Sequence, residues 1–337
     1  MNKINAIFFL LSFIFLSIGI LSAQSCNNST INNTVNTVEI CDWGNCNKAA
    51  VSISVDDSFT SCRQELNAKG FKGTYYLLAT NNFTQTQWDT FNGIYKEGHE
   101  LGLHTLTHIC NGYNESQLRY EIETNIDDIK THINNISSSE ISSIAWPCGT
   151  YSTAMGAIAD DYLVSGRSYF VNELEDKNPA DFMYLKSFNT PHYNEPQYEP
   201  PNYMTVVDSA EAEGKWANLI FHGECTDEGA IAYIPTKDVW EAPVGFVAKY
   251  IKERQNTQIT NVSKSSRVLT FNLTNGQDHN LFNKEITMKV DTLGSSVQYV
   301  KVNGNTKQFT LKDNFVLFNL VPGNNDLVKV KFKKTFC

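Results

Sequence analysis

The chain has 337 residues, more than one compact core usually holds, so its length predicts two domains. Its formal net charge is −9 and it contains no block of basic residues, which argues against a nucleic-acid partner. The charge alone does not identify a partner of any other class.

Residues 1–23 are predicted to be a secretory signal peptide. Lys3 supplies the positive start, an uncharged apolar run covers 6–21, and Ser22-Ala23 offers small residues for cleavage. A membrane anchor is the alternative, since the run is only slightly shorter than a spanning helix. No basic stop-transfer cluster follows the run. We therefore expect a secreted, extracellular protein with no stable membrane insertion after cleavage.

Residues 24–48 are rich in Asn, Ser and Thr and lack periodicity, so we predict a linker. Export favours disulfides over thiolate metal sites for an even number of cysteines. Cys41 and Cys46 are close enough to close a small loop. Four further cysteines each lie within a few residues of a motif described below, so pairing among them is plausible, although the sequence leaves the connectivity open. These four are Cys62, Cys110, Cys148 and Cys225.

Asn-x-Ser/Thr sequons are frequent in this sequence. They would be glycan acceptors in a secreted eukaryotic protein, and they would carry no such meaning in an Asn-rich bacterial one. Both interpretations stay open. The sequons begin at Asn27, Asn28, Asn32, Asn82, Asn114, Asn135, Asn261 and Asn272.

From residue 49 the pattern alternates between strands and helices, which predicts parallel strands in an α/β architecture. A loop-like stretch is predicted at 167–201. The predicted strands are 49–55, 73–79, 99–104, 143–146, 162–165 and 216–221, and the predicted helices are 62–68, 86–97, 116–133, 154–161, 206–214 and 239–254.

Polar residues follow several of these predicted strands, where ligands bind in α/β folds. We therefore expect residues that are scattered in sequence to meet at one rim of the domain. The residues at predicted strand ends are Asp56, Asp57, His104, Pro147, Cys148 and His222.

After residue 256 the pattern changes to short alternating runs separated by Asn-Gly and Pro-Gly turns. This pattern predicts a separate small all-β sandwich domain over 257–337, after an α/β domain over 49–256. The predicted sandwich contains no catalytic cluster.

Three groups of residues suggest metal chemistry. His104 and His108 are four residues apart and can face one divalent ion together with a carboxylate from Asp56-Asp57. His222 follows an apolar strand and is a candidate general acid or base, because histidine titrates near pH ~6.5. The ordinary alternatives are a solvated Asp-Asp turn, loop composition for the two histidines, and a buried core histidine at 222.

The order of these motifs resembles the polysaccharide deacetylase family with its NodB-homology domain, over roughly Lys48–Arg254. The family's Thr-Phe-Asp-Asp-Gly motif stands here as Ser54-Val55-Asp56-Asp57-Ser58, and its His-Ser/Thr-x-x-His motif is matched by 104–108. Its Arg-x-Pro-Tyr-Gly motif is partly matched by 145–149, and its Leu-x-His motif by 220–222.

The resemblance implies a distorted (β/α) barrel with fewer than the usual eight strands, and a metal-dependent hydrolase of acetyl groups on sugars. It implies one divalent metal, zinc, with cobalt or nickel as alternatives. The roles that it implies are a general base at Asp56, metal ligands at Asp57, His104 and His108, a general acid at His222, an oxyanion donor at the backbone N–H of Cys148, and substrate contacts at Trp146 and Pro147.

Two departures from the family pattern stand out. Ser58 replaces a glycine, which alters the turn. Ala145 replaces an arginine that orients the catalytic aspartate in the family. Arg167, after the next predicted strand, is a candidate to supply a guanidinium from another direction; the alternative is a surface arginine in a loop.

The sequence thus predicts a secreted carbohydrate deacetylase acting on an acetylated polysaccharide or oligosaccharide, such as the N-acetylglucosamine glycans of chitin or peptidoglycan. An O-acetyl xylan esterase using the same site is one alternative. A non-catalytic carbohydrate-binding protein on a degenerate deacetylase scaffold is another, suggested by Ala145. Tyrosines in the predicted loop are candidates for one wall of a sugar groove, namely Tyr184, Tyr193, Tyr198 and Tyr203.

Overall fold

The structure is a computed structural model. The predicted signal peptide lies outside the residues that it describes, as do four sequons (Asn27, Asn28, Asn32 and Asn82) and two groove tyrosines (Tyr193 and Tyr198). In the described part of the chain, no helix combines the length and apolar character needed to cross a membrane. The described residues are 36–78, 83–110, 113–169, 171–189, 201–223, 225 and 228–334.

The first part of the chain alternates between strands and helices, as the pattern predicts. Its elements are β1 (Val38–Ile40), β2 (Ala49–Val55), α1 (Arg63–Lys69), β3 (Thr74–Leu77), α2 (Gln85–Lys96), β4 (Glu100–Leu103), α3 (Glu115–His132), β5 (Ser143–Ala145), α4 (Thr153–Ala159), β6 (Ser165–Arg167), β7 (Phe188–Asn189), α5 (Tyr203–Glu213), β8 (Trp216–Phe221), α6 (Glu228–Tyr233), β9 (Val239–Glu241) and α7 (Val244–Asn256).

The second part is all β. Its strands are β10 (Gln258–Ser265), β11 (Val268–Thr274), β12 (Ile286–Asp291), β13 (Val297–Val302), β14 (Asn305–Lys307), β15 (Thr310–Lys312), β16 (Phe315–Leu320) and β17 (Asp326–Phe332).

The parallel strands form a curled sheet in the order β6-β5-β4-β3-β2-β8-β7, and β9 pairs with the start of β2. Leu185, just before β7, bridges to Arg167 of β6, so the two ends of the sheet meet and close an irregular barrel. Every residue of β2 and of β8 is buried, as expected for strands covered on both faces. The predicted distorted (β/α) barrel is confirmed.

The all-β part is confirmed as two antiparallel sheets, ordered β1-β12-β16-β15 and β10-β11-β17-β13-β14. Alternate residues of these strands point inward and fill a common core that includes Phe271, Met288 and Val330. One strand comes from the other end of the chain. Val38–Ile40 lies in the predicted linker 24–48, yet it pairs with β12. The described part of that segment is therefore integrated into the sandwich rather than extended between domains.

Two predicted elements near the site differ from the structure. The predicted strand 162–165 begins later, because the N–H groups of Tyr162 and Leu163 still bond to the carbonyl of Ala159 at the end of α4. The strand is Ser165–Arg167, so Arg167 lies in a buried strand and not in a loop.

The predicted helix 239–254 is two elements, β9 and α7. Pro243 separates them with an extended backbone and acts as the N-cap of α7, because proline cannot continue a helix towards its N-terminus. The structure also corrects the predicted role of Tyr203. Its ring is fully buried, and its hydroxyl donates to the carbonyls of Phe188 and Ile220 at 3.0 and 2.6 Å. Tyr203 therefore does not line a groove.

Candidate metal centre and active site

The Asp56–Asp57 pair lies where β2 ends at the rim of the barrel. Asp56 is buried and its N–H continues the sheet to the carbonyl of Phe221. Asp57 and Ser58 then adopt left-handed backbone conformations, with φ of 57° and 60°, which directs the two carboxylates apart. The Ser58 hydroxyl accepts the N–H of Leu78 at 2.8 Å. A side-chain bond therefore holds the turn in which the family has glycine.

Asp57, His104 and His108 converge on one point. The Oδ1 atom of Asp57 lies 3.3 Å from Nε2 of His104 and 3.5 Å from Nε2 of His108. All three donor atoms lie within 4.8 Å of one another. One carboxylate and two imidazoles are a donor set that suits zinc, cobalt or nickel.

The orientation of His104 indicates that a cation belongs in this cluster. Its Nδ1 lies 2.8 Å from the carbonyl of Ala145. A carbonyl can only accept, so Nδ1 carries a proton and Nε2 is the nitrogen that faces Asp57. A lone pair facing a carboxylate is stable only when a metal ion or a second proton lies between them. The residues present therefore fit the divalent metal that the sequence predicts.

The ionisation of the other two ligands favours metal binding. Burial lowers the pKa of His108, and the neighbouring charge of His104 lowers it further. The neutral imidazole, which is the form that binds metal, therefore persists to a lower pH than in an ordinary histidine. Burial raises the pKa of Asp57, but its contact with His104 has the opposite and stronger effect, so this pKa is below normal. Asp57 is therefore a carboxylate at neutral pH.

Two residues of α3 hold the loop that carries the histidines, and sequence reasoning missed both. The carboxylate of Glu121 accepts the N–H groups of Leu106 and Thr107 at 2.7 and 2.8 Å. Asn125 donates to the carbonyls of Leu77 and Thr105 at 3.0 and 2.7 Å. Both are buried, on the otherwise apolar inner face of α3. Polar residues four apart on that face were the available signal.

Asp56 stays outside the metal ligands and has two partners of its own. The guanidinium of Arg167 donates to its Oδ1, and Nε2 of His222 lies 3.3 Å from its Oδ2. Burial raises the pKa of Asp56, but the charge of Arg167 and the hydrogen bond of His222 outweigh burial and hold this pKa far below its usual range. Asp56 is thus ionised at any pH near neutrality.

Arg167 and Ala145 occupy paired positions. They are register partners in the parallel pair of β5 and β6. Arg167 is completely buried, with its guanidinium 4.9 Å from the centre of the Tyr76 ring and one donor bonded to the carbonyl of Ser168 at 2.8 Å. The arginine missing at 145 therefore has a counterpart one strand away that reaches the same carboxylate.

The turn after β5 differs in part from its predicted role. Trp146 and Pro147 were predicted to contact substrate, but both are buried, and Nε1 of Trp146 donates to the carbonyl of Met183 at 2.6 Å. Both residues therefore pack beneath the turn, in the protein core. Cys148 is exposed at the rim, with a left-handed φ of 53°, while the N–H groups of Gly149 and Thr150 close the turn.

Disulfides connect the four loops of the site in pairs. Cys62, beyond the Asp56–Asp57 turn, is bonded to Cys225, beyond His222. Cys110, two residues after His108, is bonded to Cys148. Cys41–Cys46 closes a small loop away from these motifs. The cysteines that the sequence placed beside motifs are therefore paired with one another.

Comparison with known proteins gives matches over parts of the chain. The family model for polysaccharide deacetylase matches residues 44–164. A gellan lyase from Bacillus sp. is 24% identical over an alignment 291 positions long, which covers 75% of this chain and 11% of that protein. This chain therefore spans about a tenth of the length of that relative.

Solved structures with a similar chain path include three from bacteria. A CE4 family pseudoenzyme from Bacillus anthracis is 15% identical, with 58% of this chain and 64% of that chain covered and a TM-score of 0.41. A family 4 acetyl xylan esterase from Clostridium thermocellum, solved with a cobalt ion, is 12% identical, with 59% of this chain and 89% of that chain covered and a TM-score of 0.42. A peptidoglycan deacetylase from Bacillus subtilis is 14% identical, with 61% of this chain and 93% of that chain covered and a TM-score of 0.42.

The family match covers β2 to α4, the part of the barrel that contributes both aspartates, both loop histidines and the Cys148 turn. Residues 44–164 of this chain are therefore similar to polysaccharide deacetylases.

Proposed function

We propose that this protein is a secreted, metal-dependent polysaccharide deacetylase that removes N-acetyl groups from N-acetylglucosamine glycans of the chitin or peptidoglycan type. One observation carries the proposal. Asp57, His104 and His108 form a compact ligand set, while Asp56, the neighbouring residue, stays outside it as a separate ionised carboxylate. A site with both a metal position and an independent base is what metal-assisted hydrolysis needs.

Asp57, His104 and His108 would hold one zinc ion, with cobalt or nickel as alternatives. The bound ion supplies a Lewis acid for the acetyl carbonyl and lowers the pKa of water. The bond between His104 and the Ala145 carbonyl keeps the ring nitrogen aimed at the ion.

Asp56 is the proposed base, and His222 the proposed acid. The low pKa of Asp56 keeps it ionised and able to accept a proton from the attacking water. Nε2 of His222 lies 3.3 Å from Oδ2 of Asp56 and donates a hydrogen bond to it. His222, as the protonated acid, gives a proton to the departing amine, and the proton taken up by Asp56 returns to solvent after the products leave. Arg167 holds Asp56 in place throughout.

The oxyanion donor in this proposal is the backbone N–H of Cys148 at the exposed turn. A donor held rigidly beside the carbonyl stabilises the negative charge that develops on its oxygen. The buried Trp146 anchors this turn to the core through its hydrogen bond to Met183, and the Cys110–Cys148 disulfide connects it to the loop that follows His108.

Secretion and an acetylated glycan substrate belong to the same proposal. The predicted signal peptide and the three disulfides of the described residues support an oxidising, extracellular location. The match of residues 44–164 to the polysaccharide deacetylase family model supports an acetylated polysaccharide or oligosaccharide as substrate.

The deciding experiment measures acetate release from chitooligosaccharides, peptidoglycan glycan strands and acetylxylan. Each substrate is tested with the protein as purified, after chelation, and after Zn²⁺ or Co²⁺ is added back. We expect acetate from the N-acetylated substrates, loss on chelation and recovery with metal. Release from acetylxylan alone would make the protein an O-acetyl esterase. No metal-dependent acetate from any substrate would favour a non-catalytic carbohydrate-binding protein.

A further inference from the structure

His108 lies between two different sets of donor atoms. Its Nε2 faces Oδ1 of Asp57 at 3.5 Å, in the ligand cluster described above. Its Nδ1 lies 3.9 Å from Sγ of Cys110. One ring nitrogen of His108 and the sulfurs of Cys110 and Cys148 also lie within 4.8 Å of one another. One imidazole therefore borders a carboxylate–histidine set on one side and a pair of sulfurs on the other.

The two sulfurs are bonded to each other in this structure, and a disulfide is a poor metal ligand. We propose that reduction of Cys110–Cys148 creates a second zinc site from His108, Cys110 and Cys148, and that this site withdraws His108 from the catalytic metal. The inference rests on the metal centre of the proposed function and adds a redox-dependent competitor to it.

The reduction step is simple two-electron chemistry. A dithiol reductant gives two electrons to the S–S bond, which breaks, and each sulfur takes up one proton from the reductant, which becomes a disulfide. Zn²⁺ then displaces the two thiol protons and binds the two thiolates and His108. Thiolates are stronger zinc ligands than a carboxylate, so the new set competes well with Asp57 and His104.

Competition follows from the chemistry of imidazole. A neutral ring has a lone pair on only one nitrogen and a proton on the other. Metal bound at Nδ1 of His108 places the proton on Nε2, and that nitrogen can no longer serve the cluster with Asp57. The two sites cannot use His108 at the same time while the ring is neutral.

The geometry permits both reduction and capture. Cys148 is exposed and Cys110 half-buried, whereas Cys62 of the other site disulfide is buried. A reductant therefore reaches Cys110–Cys148 more easily. Non-covalent contacts keep the loops together after the bond breaks, because the Thr150 hydroxyl donates to the Cys110 carbonyl at 2.5 Å.

Cobalt absorption tests the proposal without substrate. Thiolate ligands give Co²⁺ a charge-transfer band in the near ultraviolet that nitrogen and oxygen ligands do not give. We load the oxidised protein with one equivalent of Co²⁺, record the spectrum, and add a trialkylphosphine, which reduces disulfides but contributes no thiolate of its own. The expected result is a thiolate band that appears only after reduction.

Two variants serve as controls. Cys110→Ser/Cys148→Ser should bind Co²⁺ but show no thiolate band with or without phosphine. Cys62→Ser/Cys225→Ser removes the other disulfide of the site and should still develop the band on reduction. Circular dichroism verifies that both variants are folded. Alkylation and mass spectrometry verify that Cys110 and Cys148 are free thiols in the reduced wild-type protein.

A reduced wild-type protein with free thiols at 110 and 148, bound Co²⁺ and no thiolate band would overturn the proposal. So would a band that persists in Cys110→Ser/Cys148→Ser. Either result leaves acetate release by the oxidised protein unaffected, so failure of this inference is distinct from failure of the deacetylase proposal.

Discussion

Ala145 and Arg167 lie opposite each other in the parallel pair of β5 and β6, and the guanidinium of Arg167 reaches the carboxylate of Asp56. Neighbouring parallel strands present paired positions to the same rim, so an arginine on either strand can serve one carboxylate. An arginine on β6 in place of one on β5 therefore keeps a positive charge beside Asp56, and only the direction from which the guanidinium approaches is different.

Removing that charge should change the pH profile as well as the rate. Without Arg167, burial becomes the dominant influence on Asp56 and its pKa rises, so Arg167→Ala should move the acidic limb of kcat/KM to higher pH. We expect a loss in kcat of about 10²-fold. Arg167→Ala/Ala145→Arg should recover part of the rate, and the surface variant Arg119→Ala should behave as wild type. An unchanged pH profile in Arg167→Ala would show that the contact has no role in catalysis.

The two adjacent aspartates should separate metal binding from catalysis. Asp57→Ala removes the carboxylate shared by both histidines and should reduce bound zinc to well below one equivalent. Asp56→Asn leaves the ligands in place and should retain zinc while kcat falls by about 10²–10⁴-fold. Metal content by atomic emission, measured beside acetate release, distinguishes the two. Equal zinc loss in both variants would contradict the proposed division of roles.

A general acid at His222 predicts a dependence on the leaving group. An amine must be protonated as it departs, whereas an activated aryloxide leaves without help. His222→Ala should therefore lose about 10²-fold or more in kcat on an N-acetylglucosamine oligomer, but little on an aryl acetate. Comparing kcat for the two substrates in the same preparation provides the internal control. Equal losses on both would assign His222 to positioning Asp56 and not to proton donation.

His99 should make stability depend on pH below neutrality. Burial lowers its pKa to about 4, and the charge of Lys72 adds to this, while Nδ1 accepts the N–H of Gly73 at 3.0 Å. In the unfolded chain the pKa is about 6.5. The unfolded state therefore binds more protons between these values, so this contribution is complete above pH ~6.5 and is lost as pH falls towards 4.

Urea unfolding of chelated protein at pH 7.5 and pH 5 measures this effect. His99→Gln should be less stable than wild type at pH 7.5, because a backbone donor loses its acceptor, but should lose less stability between the two pH values. His279→Gln, at an exposed position in the sandwich, is the matched control and should keep the wild-type difference. A His99→Gln variant with the full wild-type loss would assign the acid sensitivity to other groups.

Much of this fold could be predicted because its signals are local. The apolar run of β2 and that of β8 match the structure residue for residue, since a buried parallel strand needs a continuous apolar run. Arg167 shows the opposite case. The strand prediction placed it in a loop, and only the pairing of β6 with β5 shows that it is buried beside Asp56. Register between distant strands is not encoded in either strand alone.

The residues of the candidate site could be predicted from the sequence, but the residues that hold its loops in place could not. His104 and the aspartates stand at strand ends, and His108 follows His104 at a spacing of four residues, which is visible in the sequence. Glu121 and Asn125 could not be assigned to the histidine loop, because a polar residue on a helix face does not specify which loop it will contact. Trp146 was misassigned for a similar reason: an aromatic beside a motif can face the substrate or the core, and here it faces the core.

The position of β1 determines how the chain responds to a pulling force. β1 pairs with β12 at one end of the described chain and β17 closes it at the other, so both ends leave from the sandwich and the barrel is inserted between them. Tension applied between residues 36 and 334 must first detach a sandwich strand before it reaches the metal-binding loops. A force applied between the two ends of the described chain therefore acts on the sandwich before it acts on the barrel.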